Sequence, residues 1–144
     1  MKLYTIGFTK TSAEGFFGRL KKAGVRSLVD VRLNNISQLA GFAKKDDLRY
    51  FTGELLATPY VHRPELAPTQ DMLDDYRKAG GGWDRYAQRF LALLANRHVE
   101  DTVPRDELDG ACLLFSEDKP DHCHRRLVAE YLCDKWGAIE TVHL

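Results

Sequence analysis

The chain has 144 residues, of which 44% are hydrophobic and 29% charged, an ordinary globular composition at the size of one domain. Lys and Arg number 21, as do Asp and Glu, which argues against a protein held to nucleic acid by surplus positive charge but leaves room for a local basic site. No run approaches the roughly 18 apolar residues of a bilayer-spanning helix, so no membrane association is expected.

The opening stretch MKLYTIGFTK turns polar too soon for a signal peptide. Cys112, Cys123 and Cys133 form no CxxC pair, an odd count that fits reduced thiols in a cytoplasm.

Lys2 to Gly7 reads as a first strand. Ser12 is the expected N-cap of a helix whose stripe is Phe16, Phe17 and Leu20, running to Gly24. Residues 27–31 form a short apolar strand of the kind buried on both faces of a parallel sheet. Asp46 is the expected cap of a helix carrying Leu48, Phe51, Leu55 and Leu56. Pro59 starts a strand that ends at His62, and a helical region follows, interrupted at residues 80–82. Its second half places Tyr86, Phe90, Leu93 and Leu94 on one face. Residues 111–115 are the next buried strand, 127–136 a helix stopped by Gly137, and 139–143 a last strand. This alternation predicts an α/β fold: a single compact domain over residues 1–144, with a mainly parallel sheet flanked by helices. The triple glycine and residues 99–109 are expected to be mobile loops.

Ligands of open parallel sheets bind outside the carboxyl ends of the strands. Polar residues recur there: Thr9 and Lys10, Asp30 and Arg32, then His62, Arg63 and Glu65, then Ser116, Glu117 and Asp118. The last group leads into His122, Cys123, His124 and Arg125. One reading assembles a single polar pocket from these pieces; the other is that any α/β protein carries polar residues at its strand ends. A helix beginning near residue 121 or 122 would put Cys123 in its first turn, where free N–H groups and neighbouring arginines favour a thiolate. That suits a nucleophile or an anion site, whereas a small buried cysteine packing helix on sheet is the plainer alternative. His122, Cys123 and His124 are consecutive and lack metal-ligand spacing, so neither a metal nor a cofactor is expected. The pattern of a cysteine followed by five residues and an arginine also fails, since the position holds Ala129.

Asp30 and Arg32 flank Val31 on an extended segment, which turns both to one face. Either Asp30 caps a loop and pairs with Arg32, or Asp30 orients a ligand or acts as base while Arg32 clamps an anion. Glu117 is likewise a general acid/base or a salt-bridge partner.

Through YTIG at Tyr4 to Gly7, LVDVR at Leu28 to Arg32, GF at Gly41 and Phe42, HRPEL at His62 to Leu66 and SEDKPDHCHRRLVAEYL at Ser116 to Leu132, the chain resembles the domain-of-unknown-function 488 family. The resemblance implies a compact α/β domain and a cluster around Asp30, Arg32, Glu117, Cys123, His124 and Arg125, without implying a reaction. Phe8, Asn35, Gln38 and Phe115 stand where family members often have histidine, proline or arginine, and cysteine; Phe115 removes a ready partner for Cys123.

The functional expectation is an enzyme acting on an anionic or nucleotide-like substrate. Cys123 would be the nucleophile, or Glu117 and Asp30 would move protons, with Arg32, His62, His124 and Arg125 binding the ligand. The alternative is a nucleotide or nucleic-acid binding module without turnover, using Arg19, Lys21, Lys22, Arg26, Lys44, Lys45, Arg49 and residues 122–126. A third reading is an interaction protein that uses the fold alone.

Overall fold

Helix α1 (Ala13–Ala23) shows how local sequence sets the architecture. Ser12 Oγ accepts the Gly15 N–H at 3.0 Å, and Gly24 closes the helix in the left-handed region with φ 68°. Between those caps Phe16, Phe17 and Leu20 are buried. The computed structural model describes residues 1–35, 41–78, 82–116 and 124–144.

Strands β1 (Lys2–Gly7), β2 (Ser27–Asp30), β3 (Tyr60–His62), β4 (Ala111–Phe115) and β5 (Glu140–His143) form one parallel sheet in the order β3-β2-β4-β1-β5. Every residue of β4 is buried, because the strand is central and covered on both faces. Cys112 and Leu114 join a core with Phe16, Phe17 and Leu20 of α1 and Leu48 of α2 (Lys45–Leu56). Leu113 and Phe115 join the opposite core. That second core is built by α3 (Gln70–Lys78), α4 (Trp83–Asn96), α5 (Val99–Thr102), α6 (Arg105–Leu108) and α7 (His124–Trp136). Each fully buried Leu or Phe contributes about 1.5–3 kcal/mol relative to exposure. No described helix is long and apolar enough to cross a membrane.

Connections after β1 and β2 pass over the α1/α2 face, whereas the helix after β4 lies on the other face. Adjacent strands whose chains leave to opposite faces open a crevice at their carboxyl ends. Beyond the strands, Phe8 and Thr9 N–H donate to the Ser116 carbonyl at 3.2 and 2.9 Å, and Val31 N–H donates to Leu114 at 3.1 Å.

Four expectations change. Lys44, not Asp46, is the N-cap of α2 and makes no side-chain cap bond; Asp46 and Asp47 lie in the first turn, where carboxylates complement the helix dipole. Residues 99–109 are not a mobile loop but carry α5 and α6, pinned by buried Val99, Val103 and Leu108. Helix α7 is described from His124, ahead of the expected 127, while the alternative start at 121 or 122 lies outside the described residues. Strand β2 ends at Asp30, β3 begins at Tyr60 rather than Pro59, and β5 begins at Glu140, each one residue inside its expected bounds. Gly82 is the N-cap of α4, while Gly80 and Gly81 lie outside the described residues.

Candidate functional site

The carboxyl end of β2 carries a charged pair inside the protein. Asp30 is fully buried and Arg32 is 2% exposed. Such a pair is tolerated only when its remaining hydrogen-bonding groups find partners. Asp30 Oδ1 accepts from Arg32 N at 3.0 Å and Nε at 2.8 Å, and Oδ2 accepts from Arg32 Nη2 at 2.7 Å and from the Tyr60 hydroxyl at 2.5 Å. A carboxylate offers about four lone-pair sites, and all are taken. Asp30 therefore serves here as an anchor for a guanidinium, with no acceptor position left over.

Tyr60 reaches this carboxylate because β3 pairs with β2 in a register that sets Tyr60 opposite Leu28 and His62 opposite Asp30. Burial, and then the Asp30 charge, push the Tyr60 phenol above its ordinary range. Asn35 Nδ2 donates to the same phenol oxygen at 3.3 Å, and the Arg49 guanidinium lies 5.7 Å from the Tyr60 ring centre. His62 Nε2 meets the Arg32 carbonyl at 2.8 Å, which fixes the proton on Nε2, because a carbonyl only accepts. Arg63 N–H donates to the Asp30 carbonyl at 3.0 Å, and its guanidinium forks onto Glu107 of α6.

Arg32 is held from a third side by Phe8, whose ring centre is 5.2 Å from the guanidinium carbon. Its Nη1 is buried and has no hydrogen-bond partner among the described residues. A buried donor left in that state costs about 1–3 kcal/mol.

Residues expected together divide between the two faces. Asp30, Arg32 and His62 form one cluster. His124 packs instead against Phe115, Tyr86 and Phe90, with ring centres 4.1, 4.9 and 5.4 Å away, in the core on the α4 side. Arg125, its neighbour in the first turn of α7, is completely buried, and its charge bears on the Cys112 thiol of the other core. Burial dominates at that thiol and pushes it well above its usual value. Glu117, His122 and Cys123 lie outside the described residues, as does Gln38. Arg19, a candidate nucleic-acid contact, is directed at the fold itself: it donates to Leu144 O at 3.0 Å and Thr11 Oγ1 at 3.2 Å.

Tyr60, Asn35 and Phe8 are site residues that the sequence reading left out as contacts. The signal for Tyr60 was present in the two-residue alternation with His62, which places both on one face once β3 is set beside β2. For Asn35 and Phe8 no pattern in the chain marks the contact.

No curated protein and no solved structure matches the chain. The sequence model of the family described as Domain of unknown function DUF488 matches residues 12–132, a span that includes Asp30, Arg32, Tyr60, His62, His124 and Arg125, and the chain belongs to that family.

Proposed function

We propose that the carboxyl edge of the sheet binds an anionic or nucleotide-like substrate, with Arg32 as its direct contact. The observation that carries this reading is the uncommitted Nη1 of Arg32. Two of the three guanidinium nitrogens are fixed on Asp30, the group is buried, and the third nitrogen has no partner among the described residues. An anion oxygen supplies the acceptor that this nitrogen lacks, through a charge-assisted bond shorter and stronger than a neutral one. Asp30 and Tyr60 act as positioning groups that keep the fork in place before the ligand arrives. The placement beside the crevice between strands of opposite exit supports the same reading. In this scheme Arg125 adds positive charge from α7, and Cys123 is the nucleophile that acts on the bound substrate.

Isothermal titration of the full chain with inorganic phosphate and with adenosine monophosphate tests the proposal. Saturable binding is expected, weakened about tenfold or more in Arg32→Lys, which keeps the charge but loses the planar fork. A circular-dichroism melt of the variant establishes that it is folded. Absence of binding to both probes, or a folded Arg32→Lys that binds as tightly as the parent, overturns the reading. Tight, strongly salt-dependent binding of single-stranded RNA or DNA with no response to either small anion would favour the binding-module alternative.

A further inference from the structure

Away from the carboxyl edge, α1 and α2 leave a groove of about 340 Å³ between them, floored by Phe17, Phe51, Leu55 and Leu56. Leu55 is 53% exposed and, with Tyr50 at 62%, stands out as a large apolar side chain facing solvent among the described residues. Glu14 and Lys21 border the same groove from α1. Seven residues apart on a helix, they share one face about two turns from each other.

Gly18 lies between them, exposed, in the middle of α1. A glycine there weakens a helix relative to alanine. Nothing inside the protein requires it, because a Cβ at Gly18 would meet no atom within 4 Å. A mid-helix glycine without an internal reason, on the wall of an apolar groove, fits the close approach of a backbone from outside the chain.

We propose that this groove is the interface of a two-fold symmetric dimer, and that its occupant is a second copy of the same chain. The charge pattern is what selects a second copy. When two α1 helices cross antiparallel about an axis between positions 17 and 18, position 14 of each faces position 21 of the other, because 17.5 is their midpoint. Glu14 then meets the partner's Lys21 at both ends of the contact, and the closed symmetry makes each pair twice. The glycine sits at the crossing point, where the helices come nearest, and Leu55 of each copy covers the apolar floor of the other.

Sedimentation equilibrium on the full chain should find a dimer at micromolar concentrations. Glu14→Lys and Lys21→Glu should each weaken association about tenfold or more, since each replaces two attractions by two like-charge contacts. Mixing the two variants should restore association, because every facing pair is then opposite in sign. Gly18→Gln should abolish the dimer while leaving the thermal midpoint of the monomer unchanged or higher, which separates interface loss from misfolding. A parent chain that remains monomeric overturns the proposal. So does a dimer indifferent to both charge reversals, or one that mixing fails to restore.

Discussion

The phenol of Tyr60 and the carboxylate of Asp30 stand 2.5 Å apart across neighbouring strands, although 30 residues separate them in sequence. This bond gives Asp30 Oδ2 a second donor beside Arg32 Nη2 and locks the ion pair to β3 as well as to its own strand. The pair is thereby converted from two opposite charges at the end of β2 into a rigid fixture with one guanidinium nitrogen unengaged among the described residues. The consequences can be measured.

Removing the hydroxyl in Tyr60→Phe should destabilise the fold by about 1.5–3 kcal/mol, the range for hydrogen bonds to a charged group. Asp30→Ala should cost about 3–5 kcal/mol, because it leaves the Arg32 charge buried without its partner. Urea unfolding of both variants checks the order. A Tyr60→Phe variant as stable as the parent would contradict the role given to the phenol.

Alkaline pH provides a second test. Tyr60 titrates higher in the folded state than in the unfolded chain, because burial and then Asp30 oppose the phenolate. Its contribution is therefore complete below about pH 10, the unfolded value, and is lost as pH climbs toward the folded value. Tyr131, raised by burial and by its bond to Glu100, acts in the same sense. Cys112, raised by burial, adds a slope that begins near pH 8.5. Unfolding free energies measured from about pH 9 to 11 should fall with pH, and less steeply in Tyr60→Phe than in the parent. Equal slopes would remove the phenol from the account.

Thiol labelling distinguishes the three cysteines. Cys112 is fully buried and its thiolate is disfavoured, so iodoacetamide should reach it only on unfolding. Cys123, as the proposed nucleophile, should label well below pH 8 and ahead of Cys133. Peptide mapping after timed quenching reads the order. Uniformly slow labelling of all three would sink the nucleophile.

Two glycines should respond in opposite directions to alanine. Gly110 holds φ at 78° while its N–H donates to Lys2 O at 2.7 Å and its carbonyl accepts Arg26 N at 2.8 Å. A Cβ there would also lie 2.8 Å from Arg26 Cδ. Gly110→Ala should cost about 1–2 kcal/mol from backbone conformation alone, since the Arg26 side chain can shift. Gly53 lies inside α2 with open space at its Cβ, so Gly53→Ala should stabilise by about 0.5–1 kcal/mol. Thermal melts compared with the parent decide both.

Much of the architecture was legible because its elements obey simple periods. Strands β1 and β4 have the bounds their apolar runs indicate, and α1 ends where Ser12 and Gly24 say it should. The pairing of Asp30 with Arg32 follows from two-residue alternation. Other features depend on tertiary neighbours that no local pattern encodes. Tyr60 becomes a partner of Asp30 only through the Leu28–Tyr60 register. His124 packs among Tyr86, Phe90 and Phe115 because α7 lies on the α4 face of the sheet, a placement no local pattern announces. Helices α5 and α6 escaped because four residues each are too few to show a helical period, and Pro104 with the surrounding acidic residues imitates a loop.

The strand order has a kinetic consequence. Among the described residues, strand β1 pairs only with β4 and β5, and β2 reaches β1 only through β4. Among the described residues the first strand thus finds no ladder until residues 111–115 arrive, and β4 joins the β1 and β2 sides of the sheet at its centre. Assembly of this kind rests on contacts distant in sequence, which are slow to form because the intervening chain must be closed first. During synthesis the apolar β1 waits unpaired, and the central strand acts as the late keystone on which cooperative folding of both halves depends.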